Sequence, residues 1–102
     1  MSKNLGQAGL LAATGSSPRR AAALRYRKGD IAPKVVARGE DWLAERILDE
    51  AALAGVPIAH APGLVAALAR CEIDTAIPPE LYRVVAEILA WVATLEAPDT
   101  PT

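Results

Sequence analysis

The run Pro33-Lys34-Val35-Val36-Ala37-Arg38-Gly39 restricts the folds open to this chain more than any other stretch. Proline fixes the backbone at its start and has no N–H to donate, so it suits the first residue of a strand. Val35 and Val36 are β-branched and favour extended geometry. Gly39 lets the chain turn, and Glu40-Asp41 place acids where a helix begins. Just upstream, Leu24 and Tyr26 alternate with Arg25 and Arg27, the period of a half-buried strand, so Arg20 to Arg27 is predicted as a strand. Lys28-Gly29-Asp30 between the two is a turn, and so short a connection favours antiparallel pairing.

A helix is predicted from about Glu40 to Ala54, with Leu43, Ile47, Ala51 and Ala54 on one stripe and Gly55 at its end. Val56-Pro57-Ile58-Ala59 follows as a short strand. Strand, helix, strand in that order implies a parallel pair with a right-handed crossover. Pro62 opens a second helix that reaches about Arg70, with Leu64, Val65 and Leu68 inward. Cys71 to Ile77 is a connector with room for a short strand. A third helix starts at Pro79 and runs to about Leu95, before Pro98 and Pro101. Residues 1–18 carry Gly6, Gly9, Gly15, Ser16 and Ser17 and are expected to form a flexible tail, and residues 97–102 a disordered C-terminus. The expectation is one α/β domain over residues 19–96, a small mixed sheet of three to four strands surrounded by three to four helices.

Charge is unevenly spread. The net charge is −1, yet Arg19, Arg20, Arg25, Arg27, Lys28, Lys34 and Arg38 share one segment with only Asp30 against them. From Glu40 onward there are eleven acids and three bases. A basic strand region beside acidic helices is either a docking surface or a solvated edge protected by charge. Aromatic residues are not interleaved with the bases as in single-strand nucleic-acid binders, so no nucleic-acid partner is expected.

No catalytic set is visible, and no enzyme is expected. His60 is the only histidine and Cys71 the only cysteine, and they lie too far apart and too isolated to suggest a metal site. A lone cysteine leaves no disulfide framework, which fits a reducing compartment. Arg38-Gly39-Glu40 lacks the glycines of a phosphate loop, so no cofactor is expected. No stretch is long enough to span a bilayer. The chain is read as soluble and cytoplasmic.

The third helix is unusual. Glu80, Arg83 and Glu87 form one narrow polar stripe. Leu81, Val84, Val85, Ala86, Ile88, Leu89, Trp91, Val92 and Leu95 fill nearly everything else. Either the helix is sandwiched, or part of its apolar surface meets a partner.

Several segments, read together, carry a resemblance. They are Ala23-Leu24-Arg25-Tyr26, Ala32 to Gly39, Val56-Pro57-Ile58, Ala61-Pro62, Ile77-Pro78-Pro79-Glu80-Leu81-Tyr82 and Val85-Ala86-Glu87-Ile88-Leu89-Ala90-Trp91-Val92. From about Ala21 to Leu95 the chain resembles the cytoplasmic domain of the FlhB/YscU family of type III export-switch proteins, especially its flagellar branch. The resemblance implies a small mixed sheet surrounded by helices. It implies a place under the inner membrane at the export gate, attached in the family to a membrane domain. It also implies a part in choosing between early rod and hook substrates and later filament substrates.

Family members cleave themselves at Asn-Pro-Thr-His, where the Asn side chain attacks its own backbone carbonyl. Counted back from Tyr26, those positions here are Ser16, Ser17, Pro18 and Arg19, a degenerate motif without the cyclising Asn. No self-cleavage is expected. The chain then looks like a stand-alone relative without membrane helices, corresponding to the fragment that cleavage would release. The family's apolar substrate-binding patch maps to Ala32, Pro33, Ala86 and Leu89, although Ala86 and Leu89 are also candidates for plain core.

The expected partners are rod- and hook-type export substrates, the membrane-anchored part of FlhB and other export-gate subunits. The expected role is a non-catalytic binding module of the flagellar export apparatus, peripheral at the inner-membrane gate. The alternative is a soluble regulator or decoy that sequesters substrates or an apparatus subunit.

Overall fold

A computed structural model describes residues 8–16 and 19–96. Four strands form one sheet: β1 (Ala8–Ser16), β2 (Arg19–Arg27), β3 (Lys34–Glu40) and β4 (Ile58–His60). Its strand order is β3-β2-β1-β4. Helix α1 (Trp42–Leu53) joins β3 to β4, α2 (Pro62–Leu68) follows β4, and a 3₁₀ turn (Pro79–Leu81) leads into α3 (Tyr82–Glu96).

The β2–β3 hairpin follows the alternation in the sequence. Gly29 takes a φ of 95°, which its missing Cβ permits. The Asp30 carboxylate accepts a hydrogen bond from the Arg27 backbone N–H at 2.9 Å and fixes the turn. The strands pair antiparallel as expected, with Leu24 opposite Val35 and Ala23 opposite Ala37. The strand predicted to stop at Arg38 continues to Glu40, which pairs with Arg20 in the ladder and through a 3.2 Å ion pair. Helix α1 therefore begins at Trp42 and not at Glu40.

Residues on opposite faces of the sheet do different work. Leu11, Ala13, Ala22, Leu24 and Val35 meet Leu64, Val65 and Leu68 of α2, Ile77, and Val85 and Val92 of α3 in the main core. The other face carries Ala12, Ala21, Ala23, Ala37 and Gly39 in register across β1, β2 and β3. These small side chains let α1 lie close against the sheet, where it buries Ala44 and Ala51. The stripe expected on α1 is thus displaced. Ala51 is buried, but Leu43 and Ala54 are exposed and Ile47 is half-buried, because a sheet surface of alanine accepts the narrow side of the helix.

Two expectations are overturned. Ala8–Ser16, taken for part of a flexible tail, is a strand inside the sheet, antiparallel to β2 along its whole length. Its small residues are packing choices: Ala12, Ala13 and Gly15 are all buried, beside the buried Leu11. A Cβ on Gly15 would stand 3.1 Å from the Pro62 Cα. The second concerns β4. It is parallel to a strand, but its hydrogen-bonded partner is β1, not the β3 strand that precedes the crossover helix. Crossing to the far edge was hidden because β1 itself was not visible. The remaining tail residues, 1–7 and 17–18, and residues 97–102 lie outside the described residues.

The 71–77 connector contributes a bridge between Lys34 and Ala76. The Val35 N–H donates to the Thr75 carbonyl at 3.0 Å and the Ile77 N–H to the Pro33 carbonyl at 2.9 Å. These bonds cover the start of the outer edge of β3 and limit strand-to-strand association there. No described helix is long and apolar enough to cross a membrane.

Candidate functional site

The tie between Pro33 and Ile77 also positions one wall of a groove. Pro33 and Ala32 are buried beside α3, while Ile31 stands at the lip. Tyr26, the penultimate residue of β2, extends this wall. The opposite wall is α3. Pro79 opens the preceding turn, where the Leu81 N–H donates to the Pro78 carbonyl at 3.0 Å. From there Tyr82, Val85, Ala86, Leu89 and Ala90 recur at helical spacing along one face.

The groove between the walls has a volume of about 470 Å³. It is lined by Tyr26, Ile31, Ala32, Pro33, Tyr82, Val85, Ala86, Leu89 and Ala90, with no charged residue among them. Such a surface offers burial for an apolar side chain and tyrosine hydroxyls for orientation; it offers no acid, base or nucleophile for bond chemistry. All four residues of the expected patch, Ala32, Pro33, Ala86 and Leu89, meet in it. Val85 below them is core, whereas Ala86 is exposed and Leu89 half-buried. Tyr82, Val85 and Ala90 belong to the segments that carry the resemblance but not to the expected patch, though they share its helical face. Tyr26 and Ile31 had no comparable signal, since only the hairpin geometry brings them to α3.

The remaining candidates stand apart. Ser16 and Arg19 are paired across the end of the β1–β2 hairpin, and Ser17 and Pro18 lie outside the described residues. Sequence on both sides of the degenerate motif is therefore in the sheet, which corrects the match to the downstream fragment alone. His60 is exposed on β4 and Cys71 is half-buried, its Sγ 3.8 Å from the Ala67 carbonyl oxygen. Among the described residues no group of three or more His, Cys, Asp or Glu is placed to hold a metal ion.

The other side of α3 forms a second groove with β4, lined by Ile58, Ala59, His60, Val84, Glu87, Ile88 and Trp91. The surplus apolar surface of α3 is thus divided. Val85 and Val92 enter the core, Ala86 and Leu89 line the first groove, and Val84, Ile88 and Trp91 line the second.

Comparison with known proteins agrees with this architecture. Residues 18–92 match the model of the FlhB HrpN YscU SpaS family, and the chain belongs to that family of type III export apparatus proteins. The uncharacterized protein YlqH of Bacillus subtilis (strain 168) is 40% identical over 79 residues, covering 76% of this chain and 85% of YlqH. The flagellar biosynthetic protein FlhB of Escherichia coli (strain K12) is 47% identical over 76 residues, 72% of this chain but only 20% of FlhB. The crystal structure of the cytoplasmic domain of FlhB from Shewanella putrefaciens superposes with a TM-score of 0.76 at 31% identity, covering 83% of this chain and 69% of that one. The mixed four-stranded sheet with three helices is therefore the fold of the FlhB cytoplasmic domain.

Proposed function

We propose that this protein is a non-catalytic binding module of a flagellar type III export apparatus, and that its groove takes a short apolar segment of a rod- or hook-type substrate. The observation that carries the reading is the convergence of Ala32, Pro33, Ala86 and Leu89 on one uncharged groove. An extended segment with one or two apolar anchors gains most of its affinity from such a recess. The membrane-anchored part of FlhB and other gate subunits are the proposed neighbours, and the site of action is the cytoplasmic side of the inner membrane.

Binding to purified rod or hook subunits tests the groove. Leu89→Asp places a charge in the apolar recess and is expected to weaken binding by roughly tenfold or more while leaving the fold intact. Unchanged affinity with an intact fold counts against the site.

We further propose that the chain does not cleave itself. Ser16 stands where the family has its cyclising Asn, and a hydroxymethyl side chain cannot form the succinimide-type ring that an amide nitrogen forms. Intact mass of the purified protein is expected to match the uncleaved chain; a fragment starting near Ser17 sinks the idea. A role as decoy predicts a different outcome in cells. Supplementation restores motility when the downstream half of FlhB is deleted, whereas a decoy inhibits export when overproduced.

A further inference from the structure

The two edges of the sheet are finished differently. The start of the outer edge of β3 is tied to residues 74–77, whereas β4 ends the strand order and pairs only with β1. The Ala12 N–H donates to the Pro57 carbonyl at 2.9 Å, and the Ala61 N–H donates to the Thr14 carbonyl at 2.9 Å. Backbone groups alternate sides along a strand, so Pro57, Ala59 and Ala61 face β1 while Ile58 and His60 turn their N–H and C=O groups outward. Neither has a backbone partner on that side among the described residues. Nor does β4 carry the lysine, acid, proline or bulge that commonly guards an edge.

A recess runs beside this edge. Ala59 packs against the core and marks the side of the strand that looks toward α3. There Val84, Ile88 and Trp91 form an apolar wall in a groove of about 350 Å³. Trp91 is 46% exposed, so the wall is uncovered. Glu87 is the one acid lining the groove, and no lysine or arginine lines it. Its carboxylate lies 3.9 Å from the Arg83 Nε, and with both side chains largely in solvent this pair is weak.

We propose that the β4 edge accepts an extended segment of a partner protein as an antiparallel fifth strand, with an apolar residue opposite Ala59 and a lysine or arginine two residues from it. Residues of the segment opposite Ile58 and His60 exchange backbone hydrogen bonds with them. The residue opposite Ala59 shares its face, so its side chain enters the recess of Val84, Ile88 and Trp91. Two residues along, the next side chain returns to that face, and a base there meets Glu87. A second copy of this chain fits less well. A two-fold axis beside Ala59 would bring two Glu87 carboxylates toward each other. Stable dimers also bury about 800 Å² on each partner, more than a three-residue strand and one helix face supply. The inference does not depend on the groove of Ala32, Pro33, Ala86 and Leu89, which lies on the other side of α3.

The test is amide NMR of the full chain titrated with acetyl-Lys-Thr-Val-Thr-Lys-amide at millimolar concentration. Shifts are expected at the Ile58 and His60 amides and the Trp91 indole, with slowed hydrogen exchange at the two amides. In this register the threonine amides face β4 and the valine amide faces away. Methylating both threonine nitrogens is expected to weaken binding about tenfold or more, and methylating the valine nitrogen to leave it within about twofold. Acetyl-Glu-Thr-Val-Thr-Glu-amide is expected to bind severalfold more weakly. Glu87→Gln is expected to remove that preference, and its exposed position leaves the fold intact. Absence of shifts at β4 overturns the proposal, and this outcome needs no variant. So does any ranking in which the threonine-methylated peptide binds as well as the valine-methylated one. A sedimentation coefficient that rises with protein concentration until the peptide is added assigns the edge to a second copy and also overturns it.

Discussion

Gly39 illustrates how one missing side chain shapes the domain. A glycine before an acidic helix start suggests a turning point, yet Gly39 lies within β3, pairs with Ala21, and the space a Cβ would fill is occupied by Leu43 of α1. A methyl group there would stand 2.8 Å from the Leu43 Cβ, which is close to the helix backbone and cannot swing away. Overpacking of this kind costs about 1–3 kcal/mol. Gly39→Ala is expected to lower the urea midpoint accordingly, with little change in the slope of the transition. A neutral result would mean that α1 slides along the sheet to make room.

At the scale of elements, β1 decides the fold. It sits between β2 and β4, and Leu11, 1% exposed, is among the largest fully buried side chains. Leu11→Ala removes buried methyl groups where strands on both sides limit collapse, a change that costs about 2–5 kcal/mol. Small domains have only about 5–15 kcal/mol in total, so equilibrium denaturation is expected to show a large loss of stability. A chain in which residues 8–16 were a tail would not notice the substitution.

The sequence announced β2, β3, α2 and α3 well, because Leu24 and Tyr26 alternate and Leu64, Val65 and Leu68 recur at helical spacing. It concealed β1, because Ala12, Ala13 and Gly15 look like linker residues when their tight packing against neighbours is not visible. The patch was legible through Ala32, Pro33, Ala86 and Leu89 only by resemblance to a family. Nothing local in Tyr26 or Ile31 indicates that a hairpin will carry them to a helix that begins at Tyr82.

The whole molecule separates its tasks by position. The apolar groove lies on the α3 side of the sheet, while Arg25 and Lys34 pair on the face that α1 packs against. Exposed ion pairs such as Arg46–Glu50 and Arg83–Glu87 contribute little to stability and keep the helices soluble. The chain spans about a fifth of the length of the FlhB relatives but most of YlqH.

The parallel seam between β1 and β4 also sets an order of assembly. The meander β1–β2–β3 is made from contacts near in sequence, whereas Ala13 reaches Ala59 only after α1 has crossed the sheet. Distant pairings of this kind carry a loop-closure cost and tend to form late. Ala59→Gly is therefore expected to accelerate unfolding in stopped-flow experiments and to leave the refolding rate nearly unchanged. A slowed refolding limb would mean that β4 belongs to the nucleus. On this order of events the last strand to join is the first to leave, and the domain opens from its β4 edge while the hairpin carrying Ile31, Ala32 and Pro33 stays closed.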